Sequence, residues 1–457
     1  MAGERSSRGI VPFAGGLIAG LAGAYLYDHL KRQRPHIPRL LRSSRDHPDI
    51  PATVILPGIM GSGLRRPDGT EAWLNVGNAL GYHDLRLPPV LPLHESRDEL
   101  RPFGLVGVDA WLPRLFGFTE YADLLTLLRN GGFERNERGA GARGAIFHVF
   151  TYDWRRDLVE AARRLGHYLD ALAEARGEPD SRFNIVGHSM GGLVARYYLR
   201  YGGAEPGGHV TWAGARRIHQ LILVATPNAG SVFSINAILN GNPVGMSNTT
   251  LSSKVIAHMP SIYELLPPLA ASPLIDHRGD RLEIDLHDPA TWREFGWGPW
   301  RPGEEGTGDE REFVAEALGR AREFHRAMAL TPLSRCPLPV TVLGGDCLPT
   351  LTRAVAPHRP GIAPSFEPKN AAEAEMMLEA GDGRVARSSV LGAHVEPNDH
   401  HDEGLPEITH TFFGDADHHG IYSQPTFQSV LLRQLLRPAR RAQPRPHLRH
   451  DAEASDE

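Results

Sequence analysis

Residues 183–201 read Phe183-Asn184-Ile185-Val186-Gly187-His188-Ser189-Met190-Gly191-Gly192-Leu193-Val194-Ala195-Arg196-Tyr197-Tyr198-Leu199-Arg200-Tyr201, and this stretch decides the fold. Its first four residues read as a short buried strand, and from Leu193 onward the apolar residues recur at helical spacing. Between the two lies Gly187-His188-Ser189-Met190-Gly191, a G-x-S-x-G match in the strand–turn–helix setting that lifts a serine hydroxyl clear of a sheet. Glycine at 187 and 191 permits the sharp turn, because a Cβ there would meet neighbouring backbone. A serine at a helix N-terminus also faces unpaired N–H groups and the positive end of the helix dipole, which favour developing negative charge. Ser189 is therefore the candidate nucleophile.

The same rhythm extends in both directions. Residues 53–56 (TVIL) read as a buried strand closed by Pro57-Gly58, 121–128 as a helix, 145–150 (AIFHVF) as a strand and 158–173 as a helix. Further strands are expected at 218–224, 340–343 and 408–413. Strands alternating with helices predict an α/β fold, a mainly parallel sheet covered on both faces. The rhythm breaks at 231–337, which holds Trp292, Phe295, Trp297 and Trp300 among prolines and glycines; this segment is expected as a cap or lid over the sheet. Residues 74–118 and 348–377 read as long excursions. The predicted organisation is a segment 1–48, a first core half 49–230, the insertion 231–337, a second core half 338–436 and a polar tail 437–457 expected to be disordered.

With 457 residues, 41% hydrophobic and 23% charged, the chain is ordinary globular material, which excludes wholesale disorder, coiled coil and a polytopic membrane protein. Lys+Arg 49 against Asp+Glu 54 leaves a net charge of −5 and no basic face for nucleic acid. Cys336 and Cys347 are too few for a disulfide scaffold or a four-cysteine zinc site and read as free thiols. Residues 9–27 carry no charge and are followed by Lys31, Arg32, Arg34, Arg39 and Arg42. Nineteen such residues suffice to span a bilayer core, and the basic flank then leaves the main body in the cytoplasm. A signal peptide cleaved near Ala22-Gly23-Ala24, giving a secreted or periplasmic protein, and a peripheral helix are the competing readings.

A serine hydroxyl needs a base, itself oriented by an acid, and in this architecture the partners follow in the order acid, then histidine. The candidates are Asp382, within Gly381-Asp382-Gly383-Arg384-Val385, and His418 after the last strand, with Asp346 and His419 as alternatives. The oxyanion donors are expected to be the amide of Met190 and, from the Pro57-Gly58-Ile59-Met60-Gly61-Ser62 loop, the amide of Ile59, with Met60 as its alternative. Histidines and aspartates crowd residues 394–417, but no spacing matches a metal motif, so neither metal nor cofactor is expected.

VILPGIMGSGL, YDWRRD (Tyr152 to Asp157), GHSMGG, Ala225-Thr226-Pro227-Asn228-Ala229-Gly230-Ser231, IYELLP, GGDCLPT and GDGRV recur in order between residues 53 and 436. Together they resemble the lecithin:cholesterol acyltransferase-like family of the α/β-hydrolases. The resemblance implies an α/β-hydrolase fold with a lid, supports Asp382 and His418 over their alternatives, and implies action on lipid esters. Arg384 departs from the family's usual Thr, and the paired lid cysteines of secreted members are missing. The expected function is a serine-dependent acyl hydrolase or O-acyltransferase on a lipid or other ester substrate, with a membrane surface as a candidate partner. A general carboxylesterase, a serine peptidase or amidase, and a non-catalytic membrane-tethered binding protein are the alternatives. In YDWRRD, Trp154 is expected to pack beneath the active-site edge while Asp153 and Arg155 anchor loops.

Overall fold

The computed structural model describes residues 50–73, 84–108, 120–136, 145–242, 251–357, 359, 361–393 and 405–437. The apolar segment 9–27, most of the expected tail and the histidine-rich stretch 394–404 lie outside the described residues. Among the described residues no helix is long and apolar enough to cross a membrane. Cys336 and Cys347 are free thiols.

Seven strands form the central sheet: β1 (Thr53–Leu56), β2 (Glu134–Arg135), β3 (Ile146–Val149), β4 (Phe183–His188), β5 (Ile218–Val224), β6 (Val340–Gly345) and β7 (His410–Gly414). Their order is β7-β6-β5-β4-β1-β3-β2, and every pairing is parallel. The helices used below are α1 (Glu120–Asn130), α2 (Leu158–Ala175), α3 (Met190–Tyr201), α4 (Val232–Asn240), α5 (Gly308–Ala329) and α6 (Pro425–Leu435). This is the parallel, helix-covered sheet anticipated from the alternation of strands and helices, in the α/β-hydrolase arrangement that the family resemblance implied.

The two-residue side-chain period of the strands supplies both helical layers with a core. Val54, Leu56, Ile185, Leu221, Leu223 and Val342 join one cluster with the buried faces of α2, α3 and α5. Ile55, Phe147, Val186, Ile222, Val224 and Leu343 join the other with α1 and α6. The chain leaves β1 toward β2 at one edge and returns through β3, then leaves β4 toward β5 in the opposite direction, so the direction of the crossovers reverses between β1 and β4. Their carboxyl ends lie side by side (Leu56 opposite Gly187), and in open α/β sheets such a switch point is where ligands bind.

Three features sit on this frame. Residues 62–65, 71–73 and 101–105 form a small antiparallel sheet, braced by the YDWRRD segment. Trp154 Nε1 donates to Ser62 O at 3.1 Å, and Arg155 pairs with Asp153 at 2.8 Å and Asp98 at 2.7 Å. Residues 348–351 pair antiparallel with 378–381, so the 348–377 excursion is the loop of a ladder whose second strand ends immediately before Asp382. Finally, the insertion 231–337 is not all roof. Its last long element, α5, starts in a Thr307/Glu310 capping box and lies along α3. There Tyr197 stacks on Phe324 with centroids 5.5 Å apart, and Arg196 donates to Met328 O at 2.8 Å. Within the segment expected as a lid, α5 is thus a covering helix of the β5-to-β6 crossover.

Candidate active site

Ser189 sits at φ 51°, ψ −126° as the residue capping α3. A non-glycine residue in that region costs about 1–3 kcal/mol and persists only where its surroundings enforce it. The enforcement is visible on both sides. Ser189 N donates to Val224 O at 2.8 Å, and a Cβ on Gly187 would come within 2.6 Å of Gly192 Cα. One on Gly191 would run into the Pro57 carbonyl. The turn therefore needs small residues at both positions to press the serine against the β1 loop.

The Ser189 hydroxyl is 3.1 Å from His418 Nε2, and His418 Nδ1 is 2.7 Å from Asp382 Oδ2. Asp382 Oδ1 accepts the amides of Arg384 at 2.9 Å and Val385 at 2.7 Å, and its carbonyl accepts the His418 amide at 2.9 Å. These contacts fix the tautomer: the carboxylate accepts Nδ1–H, which leaves the Nε2 lone pair facing the serine O–H. Burial pushes the Asp382 carboxyl up, but His418 and the two amides outweigh it and hold the carboxyl below its ordinary value. All three side chains are buried, at 7%, 8% and 1% exposure for Ser189, His418 and Asp382, so the chain of hydrogen bonds runs in a medium of low polarity. His418 thus meets Asp382 and Ser189, whereas His419 points elsewhere, its Nδ1 3.7 Å from Glu120 Oε1. Asp346 makes no contact with either histidine among the described residues.

The β1 loop completes the site. Gly61 N donates to Gly58 O at 3.1 Å, closing a turn whose third residue, Met60, sits at φ 63°; positive φ at that position is the type II signature. Trp73 Nε1 holds the Met60 carbonyl at 2.8 Å. Among the described residues the amides of Ile59 and Met190 donate to no protein acceptor, as expected for Met190 at a helix N-terminus.

Sequence reading missed a second, parallel network. Gly58 N donates to Tyr121 Oη at 2.7 Å, Tyr121 Oη is 2.9 Å from His188 Nδ1, and His188 Nε2 is 3.4 Å from the His418 carbonyl. With Nε2–H donating to that carbonyl, Nδ1 accepts the tyrosine O–H, and every group in the chain is satisfied. Burial, reinforced by His418 and His419, holds His188 well below the ordinary histidine value, so its ring is neutral. The network ties the β1 loop to the backbone of the histidine loop through the residue preceding Ser189. Only His188, inside the G-x-S-x-G stretch, signalled it in the sequence.

A cavity of about 90 Å³ opens beside Ser189. Ile59, Met60, Phe233, Leu265 and Val385 give it apolar walls, while Glu120, Arg384, His418 and His419 add charge or potential charge. Phe233 comes from α4, so the insertion contributes part of the wall. The described residues include no cluster of three or more His, Cys, Asp or Glu side chains arranged to hold a metal.

Residues 99–289 match the family model described as lecithin:cholesterol acyltransferase. The matched stretch contains YDWRRD, Ser189 and the Thr226-Pro227 turn, and ends before Asp382 and His418. No curated protein matches the chain. Among solved structures, the Tle4–Tli4 complex is similar with a TM-score of 0.45 at 13% identity, over 84% of this chain and 98% of that one. The mature lipase BlEst2 of Bacillus licheniformis gives 0.39 at 11%, over 85% and 92%. Phospholipase PlaB of Legionella pneumophila gives 0.24 at 13%, over 65% and 39%.

Proposed function

We propose that this chain, lecithin:cholesterol acyltransferase-like over residues 99–289, is a serine-dependent acyl hydrolase or O-acyltransferase acting on lipid esters. The observation that carries the reading is the hydrogen-bonded series Ser189–His418–Asp382, at 3.1 and 2.7 Å. Ser189 Oγ attacks the ester carbonyl carbon as His418 Nε2 takes its proton, and Asp382 stabilises the imidazolium. The oxygen of the tetrahedral intermediate accepts from the unpartnered amides of Ile59 and Met190. When the C–O bond to the alcohol breaks, His418 returns the proton to the departing oxygen and the acyl group stays on Ser189. Water or a second alcohol then attacks the acyl-enzyme with His418 again as base, giving a free acid or a new ester and restoring the serine. The apolar walls formed by Ile59, Met60, Phe233, Leu265 and Val385 suit an acyl chain.

The test is turnover of p-nitrophenyl esters of increasing chain length beside a peptide panel, followed by product analysis on phospholipid with and without an added alcohol. Ester hydrolysis that falls by at least about a thousandfold in Ser189→Ala, with unfolding unchanged, is the expected result. Undiminished turnover in that variant, or cleavage confined to peptides, overturns the proposal. A transferred acyl group in the presence of alcohol assigns the transferase branch, and free acid alone assigns the hydrolase branch.

A further inference from the structure

Among the described residues, the charged or titratable side chains that line the Ser189 cavity, and Asp382 behind His418, are matched one against another with a single exception. Asp382 is engaged by His418 at 2.7 Å, and Glu120 lies 3.7 Å from His419. His188 is neutral within its own network. Arg384 remains. Its backbone is pinned, the amide donating to Asp382 Oδ1 at 2.9 Å and the carbonyl accepting from Ser231 Oγ at 2.7 Å. Its guanidinium lies over the Phe233 ring, 4.1 Å from the centroid, and lines the cavity together with Ser189. Among the described residues no carboxylate or carbonyl pairs with that guanidinium. The carboxylate whose field reaches it is Asp382, already committed to His418.

A guanidinium presents five N–H donors in a planar fork and cannot deprotonate at working pH. Held against an aromatic face in a half-buried wall with no protein carboxylate paired to it among the described residues, it has the donor geometry to receive a planar or tetrahedral oxyanion. Burial works against the Arg384 charge, so an incoming anion compensates a group that the protein itself compensates poorly.

We propose that Arg384 selects ester substrates that carry an anionic oxygen group, phosphate or carboxylate, beside the scissile ester, binding that group while Ser189 faces the carbonyl. The inference rests on the reading of Ser189 as nucleophile and deepens it: hydrolysis or transfer would be directed to acidic esters over neutral ones of the same acyl length. Arg384 touches substrate but not the reacting atoms, so its effect belongs in binding.

Three soluble esters that differ only at the third glycerol carbon test this: 1,2-dihexanoylglycerol, its phosphate and its hemisuccinate. The full-length protein is expected to favour at least one of the two acidic esters by tenfold or more in kcat/KM, chiefly through KM. The acidic ester with the larger preference identifies the group recognised. Arg384→Gln is expected to cut the acidic-to-neutral ratio at least tenfold, and Arg384→Lys to retain part of it. If Arg384 serves only to stabilise Asp382, Arg384→Gln lowers neutral and acidic turnover by the same factor, and the proposal is overturned. It is overturned equally if the unaltered protein shows no preference. A binding measurement separates this inference from the one beneath it. In Ser189→Ala protein, calorimetric titration with the dihexanoyl phosphate and hemisuccinate is expected to show tenfold weaker binding of the preferred acidic ester once Arg384→Gln is added. Loss of that contrast refutes the anion site, whereas its persistence without any Ser189-dependent turnover refutes the catalytic reading alone.

Discussion

Helix α3 carries buried charge chemistry at both ends, and the two ends behave differently. At its start, Ser189 meets His418 and Asp382. About 10 and 16 Å further along its axis, Arg196 and Arg200 meet Glu407 at 2.6 and 3.1 Å, with all three side chains buried. Each cluster joins a carboxylate to a cationic or potentially cationic partner from a distant part of the chain, and in each the carboxyl is held below its ordinary value despite burial. What separates them is whether a proton can move. An imidazole can take up and give back a proton, and the Nε2 lone pair of His418 faces a hydroxyl at the edge of a cavity. Guanidinium keeps its protons, and those of Arg196 and Arg200 run on to the carbonyls of Met328, Ala327 and Leu330 at the end of α5. On the proposed reading one cluster moves a proton and the other is a fastening, a distinction drawn by the partner's chemistry rather than by burial.

Substitutions break the comparison open. Asp382→Asn replaces the acceptor facing His418 Nδ1 with a donor and imposes the wrong tautomer, so kcat on a p-nitrophenyl ester is expected to fall about ten-thousandfold. Its unfolding free energy should change less than that of Glu407→Gln, which leaves two buried guanidinium groups uncompensated. For that variant urea titration is expected to show a loss of about 3–5 kcal/mol, with whatever folded protein remains keeping its kcat. Equal stability losses in the two variants would erase the contrast. Tyr121→Phe orphans the Gly58 amide and frees His188 Nδ1; about a tenfold drop in kcat with little change in KM is expected, because a lost buried partner costs about 1–3 kcal/mol and acts here through the β1 loop. A change confined to KM would place Tyr121 in substrate binding instead.

The smallest effect is on pH. Burial holds His188 well below 6.5 and His148 below it. Below pH 6.5 the unfolded chain therefore binds protons that the folded chain refuses. Their contribution is present in full above that value and lost as pH falls toward the folded-state values, by up to about 1.4 kcal/mol per unit for each ring. Urea midpoints at pH 7.5 and 5.5 measure the decline, and His148→Gln should flatten it. A decline as steep in that variant would exclude His148 as a contributor.

Much of this architecture was legible in the sequence because it is local. The strands at residues 53–56 and 218–224 needed no adjustment and most other elements moved by only a residue or two, since a buried parallel strand is a dense apolar run between turn residues. The residues meeting at Ser189 were named from motif, chain order and family resemblance. Helix α5 was absorbed into the expected lid, although Thr307 followed by Glu310 is a helix-start signature and Phe313, Ala317, Ala321, Phe324 and Met328 keep helical spacing. The Tyr121–His188 network and the Glu407 cluster were not legible, because each joins residues more than sixty positions apart through geometry that exists only after the sheet has formed.

The 229-residue separation between Ser189 and His418 has a consequence for biosynthesis. His418 follows β7, the edge strand, which pairs with β6 alone, so it can reach the serine only once the last strand has docked. A nascent chain therefore carries its hydroxyl for more than half of translation without the imidazole that would arm it. On the proposed reading of Ser189 as nucleophile, order of synthesis alone keeps the half-made protein from reacting.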